Sequence, residues 1–98
     1  MKITEVKIRK VFNDTETRLR AVISIVIDSI FAVHDIKVIE GEDRLFVAMP
    51  SRKDENGIFR DIVHPIDAEA REGIEREIIN EYKSYLEIHK VNDEYVGY

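Results

Sequence analysis

The chain has no cysteine and no tryptophan, and only two prolines and four glycines in 98 residues. Without thiols it forms neither disulfides nor thiolate metal sites, which fits a reducing compartment. Glycine is too sparse for a phosphate-cradling loop: Gly57 stands alone, outside any GxGxxG or P-loop pattern. No apolar run approaches the roughly 20 residues of a membrane helix. The opening MKITEVKIRK breaks its apolar residues with charges, unlike a signal peptide. These absences predict a cytoplasmic protein with no membrane contact. A chain of this length forms one domain that withdraws roughly 65% of its unfolded surface from water. So small a core leaves little spare stability, which makes burial against a partner a reasonable expectation.

Charge is present in quantity but unevenly placed. The formal net charge is -5 and the sequence pI about 5.2. Through Lys53 there are ten Lys/Arg against eight Asp/Glu; from Asp54 onward there are five against twelve. The first half is thus mildly basic and the second strongly acidic. Overall pI does not exclude nucleic acid, because a phosphate backbone responds to the local field on one face.

Hydrophobic periodicity predicts an α+β fold. Residues 2–12 alternate around Val6, Lys7, Ile8 and Arg9 as a half-buried strand does. NDTET is a turn, and LRAVISIVI (19–27) is a strand apolar on both faces: Leu19, Ala21, Ile23, Ile25 and Ile27 point one way, Val22 and Val26 the other. Asp28-Ser29 turns the chain into IFAVHDIKVIE (30–40), and GED leads into RLFVAM (44–49), which Pro50 ends. Asn56-Gly57 is a hairpin signal, and IFRDIV (58–63) is a fifth strand. The expectation is an antiparallel meander of about five strands.

After Pro65 the period changes. Asp67 suits a helix N-cap, and Ala70, Ile74, Ile78, Tyr82 and Tyr85 or Leu86 recur as a helical stripe of about 20 residues. Gly73 sits inside it and suggests a kink or close packing. The domain is placed at 1–88, with 89–98 a tail of no clear period. One helix covers one face of a sheet, whereas the middle strands read as apolar on both. That mismatch predicts a homodimer.

Catalytic and metal readings find little support. His34 and Asp35 are neighbours on a strand and face opposite sides in regular geometry, and so do Asp61 and His64. Satisfied polar groups near a strand edge are the better reading of both pairs. Ser24, Ser29, Ser51 and Ser84 lie in no nucleophile-elbow context. No enzymatic activity, cofactor, metal or small-molecule substrate is expected. The adjacent Arg52 and Lys53, in a loop-like stretch before Asn56-Gly57, are the candidate site. Read alone they are two solvated charges partly offset by Asp54 and Glu55. The reading gains from Arg60, which the hairpin would bring near, and from Lys7, Arg9 and Lys10, since guanidinium groups bind phosphate through two hydrogen bonds at once.

VHDIKVIEG (33–41), LFVAMPSRK (45–53) and GIFRDIVHPI (57–66), in this order and spacing, closely resemble the SpoVG family of small bacterial proteins. The resemblance covers residues 1 to about 87. It implies antiparallel strands followed by C-terminal helical structure in a homodimer, and a nucleic-acid-binding regulator (DNA, RNA or both) that affects septation, sporulation or other gene expression. It implies no catalysis and no cofactor. Arg52 and Lys53 fall where the family carries its basic loop, and Arg60 on the arginine of its FRDI-type segment. Where the family often reads Thr-Pro-Asp-Gly, this chain reads Asp54-Glu55-Asn56-Gly57, a change expected to weaken and loosen a phosphate contact. The alternative is a protein-interaction module that engages a partner through its acidic helix face, without nucleic acid.

Overall fold

A computed structural model describes residues 2–96, with side chains through residue 89. Strands β1 (Ile3–Val11), β2 (Leu19–Ile27), β3 (Phe31–Glu40) and β4 (Leu45–Ala48) form an antiparallel meander in that order. A separate hairpin follows, β5 (Ser51–Lys53) with β6 (Phe59–Asp61), and then helix α1 (Ala68–Val96). The α+β class and the order of elements are as the periodicity predicts. The meander, however, has four strands rather than five, because the fifth pairs with a short strand of its own. Pro50 explains the break: it has no N–H for the β3 ladder, yet its carbonyl accepts from Ile62 N–H at 2.8 Å and so starts the new hairpin.

Two local devices set the sheet's shape. Asp28 and Ser29 both take positive φ, 51° and 61°, and Ile30 N–H donates to Ile27 O at 3.0 Å. This two-residue turn matches the right-handed twist of the strands it joins. Bulges then re-aim side chains. Leu19 pairs with Ile39 and Ala21 with Val38, so Arg20 is an extra residue and Leu19 leaves the face of Ala21 that strict alternation predicts.

The core lies between one sheet face and the helix: Ala21, Ile23 and Ile25 from β2, Ile36 and Val38 from β3, Val47 and Met49 from β4 and just beyond, Ile78 and Tyr82 from α1. The far face is only partly apolar. Val22, Val26 and Ile39 are half-buried there, with Lys7, Ser24 and Lys37 paired among them. The two-sided apolar character of the middle strands is therefore weaker than the sequence suggests.

Asp67 caps the helix, its Oδ1 accepting Ala70 N–H at 2.7 Å. The stripe behaves as its spacing predicts, with Ile78 and Tyr82 buried and Ala70, Ile74 and Tyr85 half-buried. The helix is 29 residues long, about nine more than the stripe predicts, and takes in 89–96 of the expected tail. Neither proline nor glycine occurs between Ile74 and Val96, so nothing in the sequence stops it sooner. Residues 97 and 98 of that tail lie outside the described residues. Glu75 also ties the helix to the sheet: its carboxylate accepts Val47 N–H at 3.0 Å, satisfying an outward-facing amide on edge strand β4.

Candidate nucleic-acid interface

Arg52 and Lys53 lie on β5, not in a loop. Antiparallel register pairs Ser51 with Asp61, Arg52 with Arg60 and Lys53 with Phe59. Directly paired residues share a face and neighbours alternate, so one face of the hairpin carries both arginines. The other carries Ser51, Lys53, Phe59 and Asp61. Lys53 Nζ sits 5.5 Å from the centre of the Phe59 ring.

The tip is organised by Asp54. Its Oδ1 accepts N–H bonds from Asn56 at 2.8 Å and Ile58 at 3.0 Å, and its Oδ2 holds Arg60 Nε at 2.7 Å. The Arg60 guanidinium first, and then the Ile58 amide, hold the Asp54 carboxyl below its usual range. Gly57 completes the loop at φ 80°, its N–H donating to Asp54 O at 3.0 Å. The loop itself is held in place despite the loss of proline, by the hydrogen bonds of Asp54. Asp54 pins the loop, and its charge is directed to Arg60 and two amides, which leaves Glu55 as the other anion at the tip.

Lys7, Arg9 and Lys10 form a second group. Lys7 pairs with Ser24 and Lys10 with Val22, while Ile8 pairs with Ile23; Arg9 is the extra residue of a bulge. Strict alternation would put Lys7 and Lys10 on opposite faces. The bulge gathers both on the face away from the helix, where Lys37 joins them opposite Val22. Lys7, Arg9 and Lys10 sit on β1, three strand spacings (about 14 Å) from β4, the strand that leads to the hairpin, whereas Lys37 on β3 lies next to β4. The hairpin brings Arg60 opposite Arg52, as the sequence suggests, but turns Lys53 to the other face beside Phe59, and Phe59 and Lys37 were not among the candidate residues. The five-residue span from Asp54 to Ile58 was the available signal for Phe59, since it sets Phe59 against Lys53.

The histidines are placed differently from expectation in one respect. Ile23 pairs with Ile36 and Ile25 with Val33, so His34 and Asp35 together oppose Ser24, with Asp35 at φ 62°. The regular-strand argument against that pair therefore does not apply. What the bulge produces is a hydrogen bond of 2.8 Å between Ser24 Oγ and His34 Nδ1, which satisfies a buried hydroxyl. His64 lies beyond the end of β6 and its Nδ1 is 3.0 Å from Pro65 O. Among the described residues no three acidic or histidine side chains converge as a metal site, and no helix is long and apolar enough to cross a membrane.

A model of the SpoVG family matches residues 1–84. Relatives named "Putative septation protein SpoVG" include that of Agathobacter rectalis, 54% identical over 87 residues that make up 89% of this chain and 98% of theirs. That of Acholeplasma laidlawii is 55% identical over 87 residues, 89% of this chain and 90% of its own. That of Clostridium botulinum is 48% identical over 94 residues, 96% of this chain and 100% of its own.

The chain belongs to the SpoVG family.

The SpoVG match spans all six strands, both cationic groups and the helix as far as Ser84. It therefore covers every residue that positions Arg52, Lys53 and Arg60, while the last turns of α1 fall beyond it.

Proposed function

We propose that this SpoVG protein is a homodimeric, non-catalytic regulator that binds DNA, RNA or both, with a role in septation, sporulation or related gene expression. The observation that carries the reading is Arg52 paired with Arg60 on an exposed hairpin. Like charges directly opposite each other on a sheet repel. Asp54 engages only Nε of Arg60, leaving its terminal nitrogens free, and among the described residues that is the sole side-chain ion pair. A phosphate placed between the two guanidiniums would relieve the repulsion and take hydrogen bonds from both. Phosphate contacts fix position and carry no base identity, which suits a general nucleic-acid binder. Two subunits would double the cations available.

Replacing Arg52 and Lys53 with Ser removes four charges per dimer. Binding to all sequences is expected to weaken alike, and the slope of log K against log salt to flatten by up to roughly 3.6 units. Glu55→Ser is expected to tighten binding, whereas Asp54 is unsuitable for that test because it holds the loop. Unchanged affinity and salt slope in the double variant would transfer the function to a partner protein at the acidic helix face.

A further inference from the structure

Phe59 is 67% exposed at the start of β6, and the register gives it only polar neighbours on its own face of the hairpin. Ser51, Lys53 and Asp61 surround it there, while Ile58 and Ile62 belong to the arginine face by alternation. A protein-docking patch is contiguous and apolar at its centre. A lone ring with a lysine ammonium beside it is a different arrangement. It matches the needs of one nucleotide, whose base offers a π-face and whose phosphate offers a negative charge.

We propose that Phe59 is a base-stacking platform, with Lys53 serving the phosphate of the stacked nucleotide, and that the hairpin accordingly prefers single-stranded nucleic acid. The inference rests on the nucleic-acid reading above and narrows it. Bases in a duplex are already stacked on one another and present only their edges, so an exposed ring gains nothing from them. Unpaired bases are free to lie on it. Lys53 Nζ lies 5.5 Å from the ring centre, and its long flexible stem lets it turn toward a phosphate. Asp61 is the single anion on this face. It lies opposite Ser51, at the end of the hairpin away from the tip.

The absence of tryptophan makes Phe59→Trp a single-site reporter. Its fluorescence is expected to be quenched by a single-stranded oligothymidylate or oligouridylate, and to change little with a duplex of equal length. Phe59→Leu keeps apolar bulk and strand propensity but removes the ring. It is expected to lose about 5- to 150-fold in single-strand affinity, with duplex affinity held within about twofold and the salt slope unchanged. Equal loss on single strands and duplex, no loss on either, or an unquenched tryptophan would overturn the platform. A changed molecular mass of Phe59→Leu in light scattering would assign the ring to a subunit contact instead. If the parent chain binds neither form, the nucleic-acid reading falls; if it binds both and Phe59→Leu is silent, only the platform falls.

Discussion

At Gly73 a β-carbon would meet nothing within 4 Å beyond its own helix, so the close packing suggested by a mid-helix glycine is not found. Gly73→Ala is expected to stabilise the fold by about 0.5–1 kcal/mol, mainly by restricting the unfolded chain, and to raise the urea midpoint. A lowered midpoint would mean that the helix needs glycine there. Asp54 is the opposite case, a residue read as an interfering charge that turns out to organise its loop. Its hydrogen bonds to Asn56 and Ile58 depend on where a five-residue loop folds back, which composition does not reveal. Because Arg60 and the Ile58 amide lower its folded pKa, its contribution is present above the unfolded value and lost as pH falls through the folded one. The amide resonances of Asn56 and Ile58 should therefore titrate together in acid, with a midpoint below the ordinary 3.8. A midpoint at or above that value would contradict the assignment of the loop.

The elements were legible in proportion to their length. A strand of nine residues or a helix of 29 repeats its period often enough to be read, and β1, β2, β3 and the start of α1 fall close to where the pattern puts them. Strands of three residues do not, so Ser51–Lys53 read as a loop and Phe59–Asp61 as a fifth strand of the meander. The same limit hid the register of the site. Asn56-Gly57 marked a hairpin, but the pairing of Arg52 with Arg60 follows only once Asp54 and Ile58 close the loop. Bulges are harder still, because one extra residue at Arg9 moves Lys10 to the face of Lys7 without any change in composition. The helix stripe permits the firmest forecast. Ile78 is fully buried among strands and helix, so Ile78→Ala is expected to cost about 2–5 kcal/mol through lost burial and the cavity left behind. Chemical denaturation measures it, and a loss below about 1 kcal/mol would place Ile78 on the wrong face.

For the whole molecule, the surface that a second copy would bury is made of different residues from those the sequence suggests. The far face of the sheet mixes lysine with half-buried valine and isoleucine, which one chain tolerates in water. Several large exposed apolar side chains lie instead at Ile30 and Phe31, just after the β2–β3 turn, and at Ile62, Val63 and Ile66 on the segment after β6, where Ile66 is 89% exposed. Between them lies an apolar groove of about 300 Å³ lined by Ile25, Ile27, Val33, Met49, Pro65 and Ile74 among others. Phe31 is the register partner of Ile27, so the exposed turn adjoins the groove wall. A standard interface needs about 800 Å² from each partner, roughly a tenth of the 7547 Å² exposed by one chain. Light scattering at low micromolar concentration is expected to give about twice the 11.5 kDa of the chain. Phe31→Asp and Ile66→Asp should each lower that mass while leaving far-ultraviolet circular dichroism unchanged, because neither side chain supports the core. The doubled cation count would then be lost with the dimer, and the salt slope of nucleic-acid binding should flatten in both variants although no basic residue has been touched. A parent chain that is monomeric at that concentration would remove the dimer and, with it, the doubling on which the phosphate contacts of Arg52 and Arg60 are counted.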